Sequence, residues 1–154
     1  MRTVVVTTDL PAPAETVWHA VQTVAAFRYV TRGLVRLPAL SLPEGRLTVG
    51  TSVSGRLWVL GVVPAHVHRL EVVELDDAAR VLVTEESGGL LRRWRHTISV
   101  RQTGERTATY RDEVLLDAGR WTPLAVVVVT AFYRLRQRRW RRLAALLVLG
   151  SPAV

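Results

Sequence analysis

The chain contains no cysteine, which removes disulfides, thiolate metal sites and cysteine nucleophiles. Lysine is missing too: all 21 basic residues are arginine. With so much Ala, Val and Leu, that bias points to a GC-rich genome and weakens any chemical reading of it. No Gly-rich phosphate loop, nucleophile elbow or HExxH pattern occurs, so the short motifs of nucleotide sites, serine hydrolases and zinc proteases are absent. Nor is there an internal repeat or a linker. Arg2 leads into an alternating Val/Thr stretch and not into a continuous apolar run with a small-residue cleavage site, so a cytoplasmic location is expected.

What is present fits one domain spanning residues 1–154. A globular chain of this size buries about 70% of the surface its unfolded form exposes, enough for a core and a cavity. The net charge is +8, and six arginines fall between Arg134 and Arg142. A solvated basic helix face accounts for that run, while contact with a membrane surface stays open, with Leu143 to Leu149 as an insertable tail. The tail has seven residues, far short of a span. A nucleic-acid partner is not expected, because exposed stretches lack interleaved aromatic stacking platforms. Homodimerisation through strand edges or the apolar tail is also left open.

Periodicity divides the chain. Arg2 to Thr8 alternates as a strand. Asp9 to Glu15 turns into a helix, with Pro13 near its first position and Glu15 where the helix dipole favours an acid. Val17, Val21 and Val24 form its buried stripe with Trp18 beside them, and Phe27 to Val30 continues as a second short helix that Gly33 ends. Strands follow over Leu34–Leu40, Thr51–Leu60, His66–Leu75, Arg80–Ser87, Leu91–Arg101 and Thr107–Asp117. The separators Pro43-Glu44-Gly45, Gly61 with Pro64, Asp76-Asp77, Gly88-Gly89 and Thr103-Gly104 have turn chemistry, and short connections imply antiparallel neighbours.

The longest stretch without a turn signal is the last. Thr122 suits a cap and Pro123 a first helical position, and Gly150 and Pro152 stop the helix. At about 100° per residue, a wheel centred on Phe132 gathers Trp121, Ala125, Val128, Val129, Leu135, Leu143, Leu146 and Leu147. Arg134, Gln137, Arg138 and Arg141 fall opposite. Arg136 and Arg139 break the pattern by lying toward the apolar side, where they must reach water, an acid or an anionic ligand. The expected class is α+β: a curved antiparallel sheet of about seven strands around a long C-terminal helix, with two short helices after the first strand.

Pro11-Ala12-Pro13-Ala14-Glu15-Thr16-Val17-Trp18 opening a helix after a Val-rich strand, with the later strand run and closing helix, resembles the SRPBCC superfamily. This is the helix-grip group with START-type lipid-binding domains, birch-pollen-allergen-like proteins and polyketide cyclase/dehydrase-like families. Arg92-Arg93-Trp94-Arg95-His96 and the Asp112 strand also look like polyketide cyclase/dehydrase or lipid transport members. Phe27 to Thr31 departs from the group by lacking a Trp-Pro, which implies a differently shaped entrance. The resemblance covers nearly the whole chain and implies an apolar cavity between sheet and closing helix. It does not give a reaction.

Strand alternation selects the residues that face inward. Trp94, His96, Ile98 and Val100 share one face, as do Tyr110, Asp112, Val114 and Leu116. His66, His68, Leu70 and Val72 form a third set, and Glu86 joins Leu82 and Thr84. The expected ligand-binding residues are Trp94, His96, Tyr110, Asp112 and His68, with Phe132 and Arg139 opposite. His96 and Asp112 are the catalytic candidates, as base and orienter, because a carboxylate favours the imidazolium. The alternative is that buried polar groups satisfy one another and brace the sheet to the helix. His66, His68 and His96 have a spacing common by chance, so no metal and no cofactor is expected. His19 is expected at the surface, and Trp58 and Trp94 in the core. The leading expectation is a carrier of a hydrophobic or amphipathic molecule such as a lipid, isoprenoid or polyketide. A cyclase or dehydratase on the same scaffold is the alternative, and a peripheral membrane or protein-interaction module using the basic helix is a third.

Overall fold

The computed structural model describes residues 1–36, 45–59, 63–89 and 91–150. Residues 37–44, which held most of the second expected strand, lie outside the described residues, as do Leu60, Gly61 and Pro152. The side chains of Trp58 and His66 fall outside them too.

Strand β1 (Arg2–Leu10) leads into helices α1 (Ala14–Val21) and α2 (Val24–Thr31). Strands β2 (Val35–Arg36), β3 (Ser52–Val59), β4 (Val63–Asp76), β5 (Val81–Gly88), β6 (Leu91–Gly104) and β7 (Thr107–Asp117) follow, and α3 (Thr122–Gly150) closes the chain. The sheet order is β1-β7-β6-β5-β4-β3-β2, antiparallel throughout. Six strands therefore form a meander, and β1 returns to pair with β7. Register shifts interrupt β3, β4, β5 and β6. Each bulge bends its strand and adds twist, which gives the sheet its curvature.

The burial of β7 alternates without a break from Ala108 to Leu116, and β6 repeats the pattern over His96, Ile98 and Val100. These inward residues form two apolar clusters. One joins Ile98, Val100 and Tyr110 to Trp18 and to Trp140 and Ala144 of α3. The other joins Val4, Val114 and Leu116 to Val129 and Tyr133. Trp18 of α1 is fully buried, and its indole N–H donates to Asp77 at 2.8 Å. Gln22 and Arg46 donate to the same carboxyl, which ties α1 to the β4–β5 turn.

The face that α3 buries differs from the hydropathy wheel. The buried positions are Thr122, Val129, Tyr133, Arg136, Gln137, Trp140 and Ala144, a stripe centred about one residue beyond Phe132. Gln137, expected on the solvent side, is only 4% exposed, whereas Val128, Leu135 and Leu146 are exposed. The reason is polar: Arg136 and Gln137 both bind Asp112 on the facing strand, and a wheel that counts only hydropathy cannot see that partner. Thr122 is also corrected. It is the first residue of α3 and not its cap: its hydroxyl donates to Gly119 O at 2.7 Å and accepts from Ala118 N at 3.0 Å. These bonds secure the single 3-10 turn Gly119–Trp121. Leu143, Leu147 and Val148 pack against the first apolar cluster and form no free tail. Among the described residues no helix is long and apolar enough to cross a membrane.

Candidate functional site

Helix α3 seats firmly on one side of the sheet only. Gln137 donates to Val6 O at 2.7 Å and Arg141 to Thr8 Oγ1 at 2.6 Å, both on β1. Over β3 to β6 the curled sheet falls away from the helix, and the gap is a cavity of about 500 Å³. Its walls come from those strands, from Val21 at the end of α1, from α2, from Leu34 and Leu47, and from α3, with no residue of β1 or β7 among them. Most of the lining is apolar, including Phe27, Leu70, Ile98 and Phe132. Trp121, Leu124 and Val128 line it while remaining exposed, so the mouth lies beside the first turns of α3.

The polar groups gather in one patch. His68 Nε2 lies 2.8 Å from Glu86 Oε2, and the Thr84 hydroxyl donates to Glu86 Oε1 at 3.2 Å. Thr84 stands opposite His96 in the β5–β6 register, so the patch continues to His96. His96 Nε2 is 2.8 Å from Asp112 Oδ1, which also accepts from the Tyr110 hydroxyl at 3.0 Å and from Arg136 Nη1 at 3.2 Å. Gln137 Nε2 donates to Asp112 Oδ2 at 3.0 Å. Asp112 is thus surrounded by four donors and is 1% exposed. The 3.5 Å approach of Arg136 Nη1 to His96 Nε2 then follows from two donors sharing one oxygen.

Burial would push the Asp112 carboxyl up, but Arg136, His96 and Gln137 outweigh it and hold it below the ordinary aspartate value. Burial likewise opposes the charge on Glu86, and His68 beside it carries it below the usual glutamate range. Both acids are therefore carboxylates at neutral pH. Burial pushes the hydroxyls of Tyr110 and Tyr133 well above the usual tyrosine value, so both remain neutral donors. Burial works against the Arg136 cation, and the Asp112 and Glu86 carboxylates around it keep it charged.

Of the residues singled out from the sequence, Trp94, His96, His68 and Phe132 line the cavity. Tyr110 and Asp112 do not: they stand behind His96, where α3 closes on β7. Arg139 is not in the wall either. Its guanidinium donates to the carbonyls of Val30, at 3.2 Å, and Arg32, clasping the end of α2 to α3. Carbonyls at a helix C-terminus lack intrahelical partners, and a cation satisfies them. Arg136 takes the place expected of Arg139, and Tyr133 was missed, its ring 4.8 Å from that of His96. The spacing of Tyr133, Arg136, Gln137 and Trp140 at three and four residues was the available signal. His19 pairs with Glu15 at the surface at 3.0 Å. Among the described residues no group of three or more metal-ligating side chains converges.

Residues 8–144 match the family described as "Domain of unknown function (DUF8410)". The chain belongs to that family. No curated protein matches it. Norcoclaurine synthase from Thalictrum flavum, in complex with dopamine and hydroxybenzaldehyde, superposes with a TM-score of 0.72 at 14% identity, covering 99% of this chain and 89% of that one. A START superfamily protein from Mycobacterium smegmatis gives 0.68 at 15% identity, covering 94% and 98%. The di-domain ARO/CYC protein BexL from the BE-7585A biosynthetic pathway gives 0.66 at 20% identity, and this DUF8410 chain spans 98% of itself but 48% of that protein. These likenesses establish the helix-grip fold for this family member. At such identities they carry the fold alone.

Proposed function

We propose that this DUF8410 protein binds a hydrophobic or amphipathic small molecule, of lipid, isoprenoid or polyketide type, in the cavity beneath α3. The observation that carries this reading is the cavity's composition: apolar walls with one polar patch built from His68, Glu86, His96 and Arg136. Apolar walls supply affinity, and a few placed polar groups orient the ligand. The test is native mass spectrometry of the purified protein, followed by organic extraction, with a thermal-shift panel of lipids and aromatic polyketides. A ligand at 100 times its Kd adds about 2.7 kcal/mol, which in a domain of this size raises Tm by about 5–10 °C. An empty protein that no panel member stabilises overturns the reading.

The 2.8 Å His96–Asp112 contact also favours a second reading, proton transfer in a cyclase or dehydratase. If Asp112 accepts the Nε2 proton, Nδ1 is the accepting nitrogen of His96. Asp112 is also held by Tyr110, Arg136 and Gln137 and lies outside the cavity wall, as a brace between sheet and helix would. The binding reading therefore ranks first. A His96→Gln variant separates the two: loss of turnover of a polyketide-type substrate with binding kept supports catalysis, and unchanged turnover excludes it.

A further inference from the structure

The outer face of α3 carries a second pattern, which meets the cavity only at its mouth. Leu124, Val127, Val128, Ala131 and Leu135 are all exposed, at steps of three and four residues that place them on one side of the helix. The same side continues through Arg134, Arg138 and Arg142 to the exposed Leu146 and Leu149. Trp121 stands at its start, 46% exposed, with the Arg120 guanidinium 5.4 Å from its ring centre. Helix α3 contains six arginines and no acid. Among the described residues none of Arg134, Arg138 and Arg142 makes an ion pair.

We infer that this face docks on an anionic lipid bilayer, lying in the interface with the cavity mouth against the membrane. Charge and apolarity coincide here: exposed apolar side chains lie on both sides of three unneutralised arginines along the helix, and the arginines attract acidic headgroups while their stems lie among the acyl chains. Leu124 and Val128 belong both to this face and to the mouth, so docking opens the cavity toward the lipid. A second copy of the chain is a poor occupant, because two such faces set together bring their arginines against one another. Nucleic acid would engage the arginines and leave the apolar stripe in water.

The inference rests on the cavity reading only for what passes through the mouth, and vesicle binding needs no ligand. Its test is therefore co-sedimentation of the whole protein with phosphatidylcholine vesicles, with and without phosphatidylglycerol. Binding is expected only with the anionic lipid, and it is expected to weaken at 1 M salt, where screening acts over about 3 Å against 10 Å at 0.1 M. Replacing Arg134, Arg138 and Arg142 together by Gln is expected to lower partitioning about a hundredfold. Val127→Asp changes a residue outside the cavity and both apolar clusters, so Tm should hold while binding falls at least tenfold. Binding indifferent to anionic lipid and salt, or unchanged in Val127→Asp, overturns the inference. So does an unbound protein, and in that case a ligand found by extraction still stands. A Val127→Asp change that turns a dimer into a monomer and leaves vesicle binding intact assigns the face to self-association instead.

Discussion

Replacing Asp112 by Asn tests the centre of the network with almost no change of shape. An amide offers one oxygen where the carboxylate offers two. With that oxygen toward His96, Tyr110 and Arg136, its NH2 group meets Gln137 Nε2, which is itself a donor. Turning the Gln137 amide to relieve the clash would break its 2.7 Å bond to Val6 O. The charge matters more, since Arg136 is 6% exposed and loses the only carboxylate it pairs with among the described residues. Leaving one partner of a buried ion pair uncompensated costs about 3–5 kcal/mol, a large part of a total of about 5–15 kcal/mol. The expected fall in Tm is about 6–20 °C for a chain of this length. Because Asp112 titrates below its ordinary value when folded, its contribution is complete above the unfolded value of about 3.9 and vanishes as pH falls through the folded one. The gap between wild type and variant should then be full at pH 7 and close below about pH 4. Urea unfolding followed by circular dichroism measures it. Removing both charges, with Arg136→Met added to Asp112→Asn, should recover part of the loss, by about 1–3 kcal/mol beyond additivity. A single variant within about 1 kcal/mol of wild type at pH 7, or a gap that persists unchanged at pH 3, refutes the argument.

Two further outcomes follow from the geometry. Glu86→Gln weakens the bond to His68 inside the cavity, and it should cost about 1.5–3 kcal/mol in chemical denaturation. It should also change affinity for any ligand identified by extraction, and a variant identical to wild type in both respects removes Glu86 from the site. Arg139→Ala removes the clasp on Val30 O and Arg32 O and should expose the end of α2. Hydrogen exchange is then expected to speed up over residues 28–32 with ligand affinity little changed, whereas a large affinity loss would return Arg139 to the binding site.

Sequence alone reached far into this fold because its strands and short helices follow local rules. The alternation of Tyr110, Asp112, Val114 and Leu116 is a period-two pattern, and all four are buried. Pro13 punctuates the chain by fixing its own φ, and Gly33, Gly88 and Gly89 by adopting positive φ, and neither needs a partner. His96 and Asp112 were paired from alternation on neighbouring strands, and antiparallel register sets them within reach. Tertiary structure decided the facing of α3. Its buried stripe turns about one residue from the hydropathy wheel because a carboxylate on β7 binds Arg136 and Gln137 together, an interaction between residues 24 and 25 positions apart. The same rotation moved Arg139 from the cavity to the end of α2 and placed Arg136 and Tyr133 in the wall. Only tertiary structure could decide where the cavity lies, since it exists because α3 seats on β1 and β7 while the bulged strands β3 to β6 curve away. Local periodicity says which side of a strand looks inward; whether it meets a packed helix or an open space depends on how elements distant in the chain close on one another.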